Sequence, residues 1–225
     1  MTKIIITCLT ICFLAVQVTA QLNVKVGYAG SYSNIDFVED VFETYEATQL
    51  QAEETLTPIS FRHGLELGLR YKFFENLALD FGVIAKNGSN RARGLLNSDG
   101  EEFNTKWKSS ILNYFVGLES YIDRFGIGAS IGYQNLKYVK EDSNARNDET
   151  VMSQRVLNSR FYLIFDLPTS GLGISIRPFV STTLDPYNFN PVAEELSPGA
   201  IDISGTFNQD VFSYGLSILF MNGRQ

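Results

Sequence analysis

One pattern recurs along the chain: a large apolar residue at every second position, with small or polar residues between. Over residues 210–220 the apolar set is Phe212, Tyr214, Leu216, Ile218 and Phe220, and Ser213, Gly215 and Ser217 fall between them. Successive side chains of a β-strand point to opposite faces, so such a run has one apolar face and one small, polar face. Seven earlier runs share the pattern, at residues 22–32, 61–71, 77–86, 107–122, 125–135, 157–167 and 172–182. The alternation predicts eight strands. It is least regular over 107–122, where Phe115 shares the face of Asn113, Gly117 and Glu119.

The connections sharpen this picture. Residues 73–76, 123–124 and 168–171 are tight links, whereas 34–60, 87–105, 140–152 and 184–208 are long and polar, and the two kinds alternate without exception. A soluble sandwich has no reason to sort its loops by length. Barrels of the bacterial outer membrane do, with short turns inside and long loops outside the cell. The fold class expected is therefore all-β: an eight-stranded antiparallel up-and-down transmembrane β-barrel with short periplasmic turns and long extracellular loops. Aromatic residues collect near the short turns (Tyr71, Phe73, Phe74, Phe125, Phe165, Phe220) and more loosely near the long loops (Tyr32, Phe61, Trp107, Tyr133). Those are the positions of two interfacial girdles.

The N-terminus adds a compartment. Lys3, an apolar stretch over 4–16 and the small residues Val18-Thr19-Ala20 read as a cleaved signal peptide over 1–20, with the barrel domain covering 21–225. Cys8 and Cys12 both lie in that leader, so disulfide scaffolds, thiol enzymes and thiolate metal sites are excluded for the mature chain. A formal net charge of -7 argues against a nucleic-acid partner, which selects for a basic face.

The final run also fits a motif: polar residue, any, Gly, any two, apolar, any, aromatic. Ser213, Gly215, Ile218 and Phe220 fill those places. Together with the eight runs over 21–220, this resembles the small OmpA/OmpX-type outer-membrane barrels and, more loosely, the outer-membrane β-barrel proteins of Bacteroidetes. The resemblance implies that those four residues form the assembly signal read by the barrel-assembly machinery. It implies outer-membrane lipid and lipopolysaccharide as the surroundings. The chain departs from the family's usual ending, because Met221 to Gln225 follow the aromatic residue.

An eight-stranded barrel is just wide enough to be filled by its own side chains. The polar face places Lys25, Arg62, Glu66, Arg70, Asp80, Lys86, Glu119, Arg160 and Arg177 inside, with Lys25, Arg70, Asp80 and Glu119 at one level and Glu66, Arg160 and Arg177 above it. Buried charges persist only when paired and hydrogen-bonded, so this set is expected to be an ion-pair network that plugs the lumen. A proton or ion path is the alternative.

The loops offer weaker signals. Residues 34–60 carry seven carboxylates and no Lys or Arg, and Val38, Val41, Phe42 and Tyr45 recur at helical spacing. Divalent cations or a basic partner would suit such a loop; a solvated loop is the simpler reading. Arg91 and Arg93 are placed to meet lipopolysaccharide phosphates. The last long loop, with Pro186, Tyr187, Phe189, Pro191 and Pro198, either presents a surface to an extracellular or envelope protein or folds back on the rim. His63, the single histidine, falls on the lipid-facing parity; position 65, where an outer-membrane lipid hydrolase would carry Ser, is Leu65. Ser109 would meet His63 only by chance of register. No catalytic residue, cofactor or metal site is expected. The function expected is a non-enzymatic barrel with a filled lumen, structural or interacting through its loops. The alternatives are an accessory component of an outer-membrane secretion or assembly complex and, less favoured, a lipid-modifying enzyme.

Overall fold

The computed structural model describes residues 21–35, 50–54, 59–96, 102–142, 148–167, 172–196 and 207–222. Its strands are β1 (Gln21–Asn34), β2 (Leu50–Glu54), β3 (Phe61–Phe74), β4 (Leu77–Leu96), β5 (Glu102–Ile122), β6 (Phe125–Asp142), β7 (Glu149–Leu167), β8 (Leu172–Thr183), β9 (Tyr187–Asn188), β10 (Asn208–Gln209) and β11 (Phe212–Asn222), with one short helix, α1 (Asn190–Leu196), between β9 and β10. Strands β1, β3, β4, β5, β6, β7, β8 and β11 pair antiparallel in that order, and β11 returns to β1, with Tyr28 opposite Ile218. The eight-stranded barrel is closed, so no open edge faces its surroundings at the level of the apolar belt.

The alternation decides which face meets what. On β1 the outward residues Leu22, Val24, Val26, Tyr28 and Tyr32 are 44–61% exposed, while Asn23, Lys25 and Ser31 are buried. On β5 the outward apolar residues run from Leu112 to Ile122. At about 3.4 Å per residue and a tilt of about 40°, that stretch is roughly 25 Å tall, the height of a barrel's lipid-facing band. Exposed aliphatic and aromatic side chains ring the whole barrel at this level. Such a belt is stable in a bilayer and a liability in water, and the barrel is transmembrane.

Of the short links, 123–124 is as the sequence indicates and 73–76 is tighter. Ile122 pairs directly with Phe125 across Asp123-Arg124, and Asp123 takes the left-handed φ of 57° that such a turn needs and that Asp tolerates. Phe74 pairs with Leu77, so Phe73 belongs to β3 and only Glu75-Asn76 turn, with a register shift between Lys72 and Phe74. The link at 168–171 lies outside the described residues.

The long links need a larger correction. Residues 87–96 and 102–105 are not loop: β4 and β5 continue as one ladder up to Arg93 opposite Asn104 and Leu95 opposite Glu102. Likewise β6 reaches Asp142 and β7 begins at Glu149. Strands β4 to β7 are 18–21 residues long against 11–14 for β1, β3, β8 and β11, so one wall stands tall above the belt. The reason is physical. Above the belt the two faces exchange character, with polar residues such as Lys106 and Lys108 outside and Trp107 and Ile111 inside. A search for an apolar outer face stops where that face turns polar, although the strand does not. Beyond Asn87 the edge of β4 has no β3 beside it, and β2 covers it, pairing Leu50 with Leu96 and Ala52 with Gly94.

Candidate functional site

The site is the barrel interior. The nine charged residues assigned to it are at most 7% exposed. They come from six of the eight barrel strands, β1, β3, β4, β5, β7 and β8, because inward positions project into the same narrow space, whereas β6 turns small and uncharged residues such as Ser130 and Gln134 inward.

Arg177 is the centre. Its guanidinium donates to Glu119 at 2.7 Å and to Asp80 at 3.1 Å, and its Nε donates to Ser175 Oγ at 3.0 Å. Lys25 pairs with Asp80 and lies 4.0 Å from Glu66. Arg160 donates to Glu66 at 3.3 Å and to Ser217 Oγ at 2.7 Å, and Ser217 in turn donates to Glu66. Arg70 donates to Asp166 at 2.9 Å and to the Tyr121 hydroxyl at 3.0 Å. Tyr121 donates to Glu119, and Tyr162 donates to Asp80 and Glu119. Four cations (Lys25, Arg70, Arg160, Arg177) thus meet four carboxylates (Glu66, Asp80, Glu119, Asp166) in one connected, formally neutral cluster. Every member is ion-paired, which is the condition under which charges survive away from water. All but Lys25 also hydrogen-bond, although one polar atom each of Glu66, Arg70, Asp80, Arg160 and Asp166 has no hydrogen-bond partner.

The levels differ from those expected. Arg177 does not pair with Glu66 or Arg160; its long side chain reaches Asp80 and Glu119, and Lys25, paired with Asp80 and 4.0 Å from Glu66, links the two tiers. Asp166 completes the charge balance. It has inward parity on β7, and its value became visible only when Arg70 was placed beside it.

Two of the nine stand apart. Arg62 donates to Ser109 Oγ at 2.8 Å and to the Tyr138 hydroxyl at 2.9 Å, and Lys86 donates to Ser31 Oγ at 2.6 Å. Both bind neutral hydroxyls, and Nη1 of Arg62 is buried without a hydrogen bond. They lie on the long-loop side of the neutral cluster, and no carboxylate among the described residues pairs with them.

Above them the interior turns apolar. Trp107, Ile111, Leu136, Tyr138, Met152 and Val156 face inward on the tall wall and pack with Tyr187, Phe189, Val192, Ala193, Leu196 and Val211, all buried. Helix α1 therefore lies in the mouth of the barrel. The Phe189 carbonyl accepts from the amides of Val192 and Ala193, and Pro191 sits in the first turn, where a missing N–H leaves no bond unmade. Asn190 Oδ1 accepts from the Phe207 amide at 2.8 Å, and β9 pairs with β10, so both ends of the segment are tied. Gln134 donates to the Tyr187 hydroxyl at 3.0 Å and Lys140 to Glu195 at 2.6 Å. Burial pushes the Tyr187 phenol well above its ordinary value, which keeps it a neutral partner. Of the two readings of the last loop, folding back is the one observed for residues 187–196, and it goes further than the rim; Pro198 lies outside the described residues. Trp107 corrects the outer girdle: it is 1% exposed and inside. Its odd position on β5, opposite in parity to Leu112 and Tyr114, is the signal that pointed inward.

His63 faces outward and accepts, or donates, a hydrogen bond at Nδ1 with the Tyr28 hydroxyl, flanked by Phe61 at a ring distance of 5.7 Å. Ser109 is inside, bound to Arg62. The wall of the barrel separates them, so they form no nucleophile–base pair. Ser213 is buried and shares a 2.8 Å hydrogen bond with Ser33, while Ile218 and Phe220 face lipid. Gly215 has a local reason to be glycine: a Cβ there would lie 2.7 Å from the Phe179 ring and 2.1 Å from the Gly30 carbonyl. The helical spacing at 38–45 lies outside the described residues.

No protein-family model and no curated protein matches the sequence. Solved structures do match. Ail, the attachment invasion locus protein of Yersinia pestis, in complex with the heparin analogue sucrose octasulfate, aligns with a TM-score of 0.50 at 13% identity, over 90% of this chain and 98% of that one. A second structure of Ail gives a TM-score of 0.49 at 13% identity, over 89% and 97%. Neisserial surface protein A gives 0.45 at 8% identity, over 90% and 97%. At such identities the likeness is one of fold: the architecture is that of a small outer-membrane barrel.

Proposed function

We propose that this chain is a non-enzymatic barrel of the bacterial outer membrane, directed there by residues 1–20 and closed to solutes along its axis. It acts as a structural or interaction protein through its long-loop end, where the tall wall of β4–β7 offers ordered surface to an extracellular or envelope partner. Ser213, Gly215, Ile218 and Phe220 serve as the signal for the barrel-assembly machinery, and outer-membrane lipid with its lipopolysaccharide is the immediate environment. The observation that carries the reading is the double obstruction of the lumen, an ion-paired cluster below and an apolar plug above. A pore for ions or nutrients needs a continuous wet path, which a plug built of Trp107, Phe189 and Leu196 does not offer. The separation of His63 from Ser109 supports a role without catalysis.

The test is electrical. Purified, folded protein in planar bilayers is expected to give no sustained porin-scale steps. Large, stable channels would overturn the reading.

A further inference from the structure

The outer surface just above the lipid belt is chemically lopsided. On the low wall the outward residues at that height are Tyr32, Phe61, Phe212, Tyr214 and Leu184, all apolar or aromatic. On the tall wall they are polar, and their charges are mostly basic. Arg91, Lys106, Lys108, Lys137 and Arg155 come from four adjacent strands, and the registers set Arg91 beside Lys106, Ser89 beside Lys108, and Ser110 beside Lys137. A cleft of about 430 Å³ opens among them, lined by His63, Asn87, Ser89, the three lysines and Asp148. Glu141 is shared by Lys106, at 4.0 Å, and Lys108, so it offsets one of the two charges. Counting Glu141, Asp148 and Glu149 against the five cations, the surface still carries a cationic excess in a chain whose net charge is -7.

Height selects the partner. Arg155 lies two residues above Leu157, and Lys108 and Lys137 lie four above Leu112 and Tyr133, the last apolar positions of the belt on their strands. At about 2.5 Å of vertical rise per residue, these three charges sit roughly 5–10 Å beyond the hydrocarbon, within the headgroup layer, and Lys106 and its neighbour Arg91 sit at about 15 Å, toward its outer side. A surface meant for a soluble polyanion gains nothing from that position, whereas a phosphorylated lipid anchored in the same leaflet brings its phosphates there.

We propose that this face binds the phosphate groups of an anionic glycolipid of the surrounding leaflet, with the lysines and Arg155 as the phosphate contacts and Asn87, Ser89 and Ser110 as hydrogen-bond partners for the sugars. The assignment rests on the membrane-spanning reading above. It is tested with the folded full-length barrel in phosphatidylcholine vesicles doped with either diphosphoryl lipid A or the same lipid A stripped of phosphate, scoring retained glycolipid by native mass spectrometry. Lipid A is expected to be retained in preference to its dephosphorylated form. The combined variant K106Q/K108Q/K137Q/R155Q should lose at least about tenfold in retention, while R124Q, at the short-turn end, should not. Equal retention of the dephosphorylated lipid, or an undiminished signal from the combined variant, would overturn the assignment. So would displacement of lipid A by a soluble sulfated polysaccharide that binds more tightly, which would make the face a soluble-glycan site. A barrel that fails to insert, seen as loss of heat-modifiable gel migration, would overturn the membrane reading itself.

Discussion

At the scale of single residues the interior distinguishes two kinds of buried cation. Lys25 belongs to a neutral cluster in which every charge answers another, and Glu119 is the acid with the most hydrogen bonds, four in all from Arg177, Tyr121 and Tyr162. Breaking such a cluster on one side strands the opposite charge. Glu119→Gln is therefore expected to destabilise the barrel by about 3–5 kcal/mol, measured by urea unfolding from lipid vesicles. Lys86 is different: among the described residues it is held by one hydroxyl, Ser31, and no carboxylate. Lys86→Met should be close to neutral or stabilising, because it removes an uncompensated buried charge and keeps the volume. Equal losses for the two substitutions would show that Lys86 shares in the cluster after all. The signs of these charges and their inward parity were legible in the sequence. Their pairing was not, since Arg177 is brought to Asp80 from the far side of the barrel, 97 residues along the chain.

At the scale of elements, the closing strand β11 carries two requirements at once. Its outward residues Ile218 and Phe220 face lipid, and its inward glycine lets Phe179 and β1 approach. If Phe220 also belongs to the assembly signal, Phe220→Ala should lower the amount of folded protein recovered from the outer membrane severalfold. Refolding of the same variant into vesicles without the machinery should change much less. Parallel losses in both assays would make Phe220 a packing residue only. The short turns were legible because hairpins leave local signatures. The upper halves of β4 to β7 were not, because their apolar residues face inward toward a helix supplied by residues 190–196, and no local window contains both partners.

For the whole molecule, the two obstructions lie in series. The apolar plug of Trp107, Phe189, Val192 and Leu196 closes the mouth, and the ionic cluster lies beneath it. Deleting residues 187–196 should therefore loosen the long-loop end, seen as faster trypsin cleavage near Lys140 and Arg155, yet leave the bilayer conductance at its baseline. A channel appearing on deletion would identify the plug as the seal and the charged lumen as a conduit. By itself the sequence determined the class of fold, because alternation with period two and the hairpin signals are local consequences of strand geometry and are written residue by residue. It also determined which charges face inward. Only the tertiary structure decided that the lumen is half ionic and half apolar, that one wall stands above the membrane, and that its basic outer face is held at headgroup height. Each of these depends on closure of the barrel, which brings β1 to β11 and the last loop into the mouth, and closure is a property of the ring of strands rather than of any one of them.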